Sequence, residues 1–277
     1  MADGNTTNRL FLKKILYRID FQFITEKMQE EVYAYIAERY GDYFAEQSQE
    51  MANEIDVAID MSSLEHSRLN KKSQPIFVFS QPKTNDCDGR VCKLGRTFFW
   101  LELDLRQSTM GIPYFDWVAD IISYLNQFPI FKITRVGLRK FNNFYILHED
   151  VNKLKEIFKI DYLAGAECEG FTLDNFTHAQ LYDYEKLKLR FSRNYSTGSL
   201  SNPARRIENQ PAHLIAFDFD LFTASEEMLE LIKKDASATL QSMNATVYSF
   251  FQSIVCDAIV HLLNTGDNLS DYKIIPF

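Results

Sequence analysis

Runs of alternating apolar and polar residues dominate this chain, and one of them lies at its centre. Phe131–Ile146, FKITRVGLRKFNNFYI, sets Val136 and Leu138 against Arg135, Gly137 and Arg139. A period of two puts successive side chains on opposite faces of a strand, so one face is apolar and the other charged. The period recurs in Lys13–Phe23, with Ile15, Tyr17, Ile19, Phe21 and Phe23 opposed to Lys14, Arg18, Asp20 and Gln22. It recurs in Glu54–Met61, in Arg96–Arg106 (Phe99, Leu101, Leu103, Leu105), in Leu187–Asn194 and in His213–Phe222 (Ile215, Phe217, Phe219, Leu221). A chain built this way folds into antiparallel sheet with one face buried.

Helical spacing fills the intervals. Thr25 caps a helix carrying Met28, Val32, Tyr35, Ile36 and Tyr40; Trp117, Val118, Ile121, Ile122 and Leu125 stripe a second over Tyr114–Phe128. Asp150 opens a short helix, and Thr223, with Glu226 completing a capping box, opens a long one that reaches Leu263 with a break near Ser242–Asn244. Ile76–Ser80 reads as a short strand and Cys168–His178 as extended. The segments LEHSRLNKKSQP, QPKTNDCDGR and STGSLSNPARRIENQP read as turn or loop, the last of them mobile. The expected fold is therefore α+β. It has two β-α-β-β-β-α blocks, residues 1–129 and 130–277, related by internal duplication, and a curved antiparallel sheet with helices on one face. This order is similar to the saddle or helix-grip class. The duplication would lay Arg18 on Arg135 and Glu102 on Asp218.

Composition limits the function. The net charge of −8 opposes broad binding to nucleic-acid phosphate. The apolar runs are too short to span a bilayer and Met1–Lys14 has no signal-peptide core, which places the protein in the cytoplasm. Cys87 and Cys92 form a lone C-x4-C pair, read as reduced surface thiols rather than a zinc site, and Cys256 reads as core. GxSxG, HExxH and phosphate-binding glycine loops are absent, and no histidine sits in a triad spacing, so neither cofactor nor metal is implied.

The face turned away from the helices is where chemistry would lie. It should gather Arg18, Asp20, Glu102, Asp104, Arg106, Arg135, Arg139, Asp218 and Asp220. Cross-strand salt bridges that keep the sheet in water are one reading. A polar groove that grips a partner is the other. In it Arg135 and Arg139 offer bidentate donors, Gly137 leaves room between them, and Arg18, Asn142 and the four acids complete the binding set. A metal-dependent enzyme using Glu102, Asp104, Asp218 and Asp220 is the enzymatic alternative.

Three segments, ILYRIDF, RVGLRKFNNF and FDFDLF followed by a helix containing YSFFQSIV, resemble a sporadically distributed family of uncharacterised bacterial proteins. That family's centre reads R-I-G-L-R-Y-x-N; Arg135, Gly137, Leu138, Arg139 and Asn142 fit it, and Lys140 departs from the aromatic. The resemblance carries no catalytic residue. Its patchy distribution implies mobile or defence-linked gene pairs, of which toxin–antitoxin pairs are one kind. The expectation is a non-enzymatic binding or regulatory protein whose partner is the product of a neighbouring gene.

Overall fold

The computed structural model describes residues 11–58, 68–105, 114–147, 154–159, 174–202, 206–223, 225–257, 259–261 and 274–275. The order is β1 (Leu12–Phe21), α1 (Glu26–Tyr40), β2 (Glu46–Ala58), β3 (Arg68–Gln81), β4 (Gly89–Leu94), β5 (Phe98–Asp104), α2 (Tyr114–Leu125) and β6 (Ile133–Ile146). Then come α3 (Leu154–Ile157), β7 (Asn175–Tyr184), β8 (Leu187–Asn202), β9 (Ile207–Thr223), α4 (Glu226–Lys234), α5 (Ala236–Ile254) and β10 (Ile274–Ile275). One antiparallel sheet runs β2-β3-β4-β5-β1-β6-β9-β8-β7, and β10 extends it beside the end of β6.

The alternation sets the layers. Ile15, Tyr17, Ile19 and Phe21 of β1, Phe99, Leu101 and Leu103 of β5, Val136, Leu138 and Phe144 of β6, and Ile215, Phe217, Phe219 and Leu221 of β9 are all buried. They share a single core with the apolar stripes of the helices. The sheet and this core continue across the expected boundary at 129/130. No helix among the described residues is long and apolar enough to cross a membrane.

Several sequence expectations are corrected. Three strands were expected after α1, with Gly89 and Arg90 in a loop and β3 starting later; instead the first half carries four, β4 being the added one. Pro75 is tolerated inside β3 because β4 pairs only with Phe77–Gln81, leaving the Pro75 stretch joined to β2 alone. Cys92 is consequently a buried strand residue, and Cys256 lies half-buried just beyond α5. Glu54–Ala58 belongs to a strand that begins at Glu46; residues 59–61, and which side chains of 53–58 face inward, lie outside the described residues. Phe23 is past the end of β1 and half exposed under the Arg96 guanidinium. In Ser196–Pro211, expected as a mobile loop, the described residues pair as strands, Leu200 with Gln210 and Asn202 with Ile207. Apart from buried Ile207 they are mostly exposed, so no apolar period shows; backbone hydrogen bonds carry them, with positive φ at Arg206 (56°) and Asn209 (44°). Thr223 does not cap a helix: it is still strand, and its hydroxyl accepts from Val136 N at 3.0 Å. Ser225 caps α4 instead. The break in the long helix falls at Asp235, whose side chain accepts from Ala238 N and starts α5. Asp150, His66, His148, Cys168 and Arg106 lie outside the described residues.

The duplication is not established. Arg18 lies opposite Trp100, two residues before Glu102, whereas Phe141 lies opposite Asp218, six residues beyond Arg135. An overlay of Arg18 on Arg135 therefore leaves Glu102 well away from Asp218.

A partly buried polar knot fixes α1 to α2. Tyr35 and Tyr40 each donate to Asp120 Oδ2 at 2.7 Å, and Arg39 Nε pairs with the same oxygen at 2.9 Å. Tyr35 also stacks on Tyr124, with ring centroids 3.9 Å apart. Burial first, then the bond to Asp120, pushes the Tyr35 hydroxyl up to about 12. Asp120→Ala leaves two hydroxyls and a guanidinium without their acceptor. It should lower unfolding free energy by about 2–3 kcal/mol in urea titration, the scale of hydrogen bonds to a charged group. Tyr35→Phe should cost less.

Candidate functional site

The pairing registers lay the open face out as a grid over β5, β1, β6, β9 and β8. One row reads Asp104, Lys14, Phe141, Asp218, Ser192. The next reads Glu102, Leu16, Arg139, Asp220, Arg190, and the third Trp100, Arg18, Gly137, Phe222, Lys188. The last reads Phe98, Asp20, Arg135. The expected open-face residues Arg18, Asp20, Glu102, Asp104, Arg135, Arg139, Asp218 and Asp220 are thus brought together. Asn142 is not among them: it alternates in phase with Leu138 and Phe144, is buried, and faces the helices. A residue three positions from Arg139 cannot share its face on a strand.

Most charges on the grid are matched. Arg139 donates Nε and Nη2 to the two Asp218 oxygens at 2.8 and 2.6 Å. Arg18 Nε donates to Asp20 at 2.7 Å, Lys83 to Asp104 at 2.9 Å, and Lys14 to Glu102. Leu16, between Arg139 and Glu102, is buried although it points to this face. Arg135 is different. Its nearest acids, Asp20 and Asp220, lie at 3.8 and 3.7 Å, too far for hydrogen bonds, and its enclosed Nε has no partner among the described residues. It lies over the Phe222 ring at 4.5 Å.

The aromatic residues of the face went unremarked in the sequence, yet they underlie its arginines. Arg139 sits 4.6 Å from the Phe141 ring, and Arg18 sits 5.5 Å from Phe98 and 5.7 Å from Trp100. The same alternation that marked the charges placed these rings beside them.

The two pairs of acids are too far apart to share one metal ion. Asp218 and Asp220 lie three strands from Glu102 and Asp104, or about 14 Å at the usual strand spacing. Among the described residues no three metal-ligating side chains gather. A scan against protein-family models gives no match, and a search of curated proteins gives none either.

Asp220 carries the main electrostatic tension. Burial holds its carboxyl above the ordinary 3.8, against the pull of Arg135, Arg139 and Arg190. The folded state therefore binds this proton more tightly than the unfolded chain does, so ionised Asp220 works against folding. Asp220→Asn should raise the melting temperature near neutral pH. The advantage should shrink as acid protonates Asp220 and vanish below 3.8. Arg139→Ala should behave oppositely, costing about 1–2 kcal/mol, between an exposed and a buried pair. It strands an Asp218 side chain that is only 16% exposed.

Proposed function

We propose that this chain is a non-enzymatic binding or regulatory protein. It docks a protein partner, the product of a neighbouring gene, on the open face around Gly137, with Arg135 as the group that grips an acidic side chain. The observation that carries this reading is the guanidinium of Arg135, whose nearest acids stand beyond hydrogen-bond distance and whose enclosed Nε has no partner among the described residues. Gly137, two residues along the same face, is itself buried, and a Cβ placed there would meet nothing nearer than 3.8 Å. Trp100 and Phe222 lie in the same row and supply the flat apolar contact that interfaces favour. Arg135 has guanidinium capacity left over, whereas Arg139 is committed to Asp218.

Co-expression with the neighbouring gene product, followed by co-purification and titration, tests this. Gly137→Val and Arg135→Met should melt close to the parent protein and weaken partner binding by about tenfold or more, as loss of a charged hydrogen bond does. Unchanged binding in both variants would refute the docking surface.

A further inference from the structure

Arg90 is a buried cation that no described carboxylate pairs with. It is the second residue of β4 and faces the helix-covered side with Cys92 and Leu94. Only 7% of it is exposed. Its Nε is fully enclosed and makes no hydrogen bond, and among the described residues no carboxylate pairs with it. An unpaired charge in such a place is costly unless something meets it.

The surroundings are aromatic and rigid. The guanidinium carbon lies 5.9 Å from the centre of the Tyr43 ring. Tyr43 packs on Trp117 at 4.7 Å, and Trp117 meets Tyr114 edge-on at 5.2 Å. Asp88, two residues earlier and equally buried, is the obvious counter-ion by sequence, but it accepts from the Tyr114 hydroxyl at 3.1 Å instead. The loop before β4 is pinned. Lys83 Nζ donates to Asp104 at 2.9 Å and to the Leu105 carbonyl at 2.7 Å, and Thr84 Oγ1 accepts from the Asp86 and Cys87 backbones. Gly89 packs closely under this loop, where a Cβ would lie 3.0 Å from Lys83 Cβ and 3.2 Å from Lys83 N. The backbone leading into Arg90 is therefore fixed before any ligand arrives. The positive field reaches the loop: Cys87 is lowered from its ordinary value, first by its hydrogen bond with Thr84 and further by the charge of Arg90.

We propose that Arg90 is the recognition group of a small-anion site, in which its guanidinium fork holds one oxyanion, a carboxylate or a phosphate, against the wall formed by Tyr43 and Trp117. A planar guanidinium suits the two oxygens of either group. The site is on the opposite face of the sheet from Gly137 and does not depend on the docking reading.

The protein's two tryptophans separate the two places, since Trp100 lies on the open face and Trp117 beside Tyr43. In a Trp100→Phe protein, intrinsic fluorescence reports Trp117. Titration with inorganic phosphate, and separately with acetate, against chloride at constant ionic strength should give a saturable change with at least one anion. Which anion responds identifies the source. Arg90→Met in the same background should weaken that response about tenfold or more. Arg135→Met should leave it unchanged, which excludes the open-face arginines. If Arg90→Met does not fold, Tyr43→Leu, which removes the wall and keeps the charge, should weaken the response. Absence of a saturable change with either anion, or a response unaffected by these site substitutions, would overturn the proposal.

Discussion

The antiparallel pairing of β1 with β6 decides what both faces of this protein can be. Ile19 lies on Val136 and Tyr17 on Leu138, so the apolar sides of both halves meet under the helices. Because side chains alternate, a slip of one residue would turn either Arg18 and Asp20 or Arg135 and Arg139 into the core. The buried apolar partners thus hold this register, and the register in turn composes the charged grid. The site is a by-product of burying the other face.

The grid tolerates so much charge because almost every ion is answered close by. Cross-strand geometry does this cheaply, since diagonal neighbours fall within reach of long side chains. Arg139 with Asp218 and Lys14 with Glu102 follow that pattern. The exceptions are informative because the pattern is so regular. Arg135 has acids near but not in contact, and Arg90, on the other face, has none paired with it among the described residues. Each is a place where the chain's own charges stop short of a match.

The strong strands were legible because β1, β5, β6 and β9 each pack one face on the core, so the alternation is written in large apolar residues. From that alternation the sharing of one face by Arg18, Arg135, Arg139 and the acids followed. β4 was hidden: GRVCKL is short, follows a polar loop and places Arg90 where an apolar residue would mark the period. The far ends of β8 and β9 were hidden because, Ile207 apart, their side chains between Thr197 and Pro211 that are described stay largely out of the core, and backbone pairing leaves no trace in side-chain hydropathy. Thr223 and Ser225 both carry capping chemistry. The choice between them depends on where β9 ends, which is settled by Val136 across the sheet. Asn142 entered the binding set with the central R-x-G-L-R-x-x-N pattern, and strand parity puts it on the other face.

Leu16 shows what the charged face is made of beneath its charges. It is an apolar residue in a row of ions, yet only 8% of it is exposed, with Arg139 and Glu102 as its cross-strand neighbours. Long charged side chains cover such a residue with their methylene stems and lift their heads into water. The stems are hydrocarbon and are held by the hydrophobic effect, whereas the heads are held by Coulomb attraction that mobile ions screen. In concentrated salt the ion pairs of this face weaken, but the stems still lie over Leu16. The surface therefore keeps its relief under conditions that erase its electrostatic pattern.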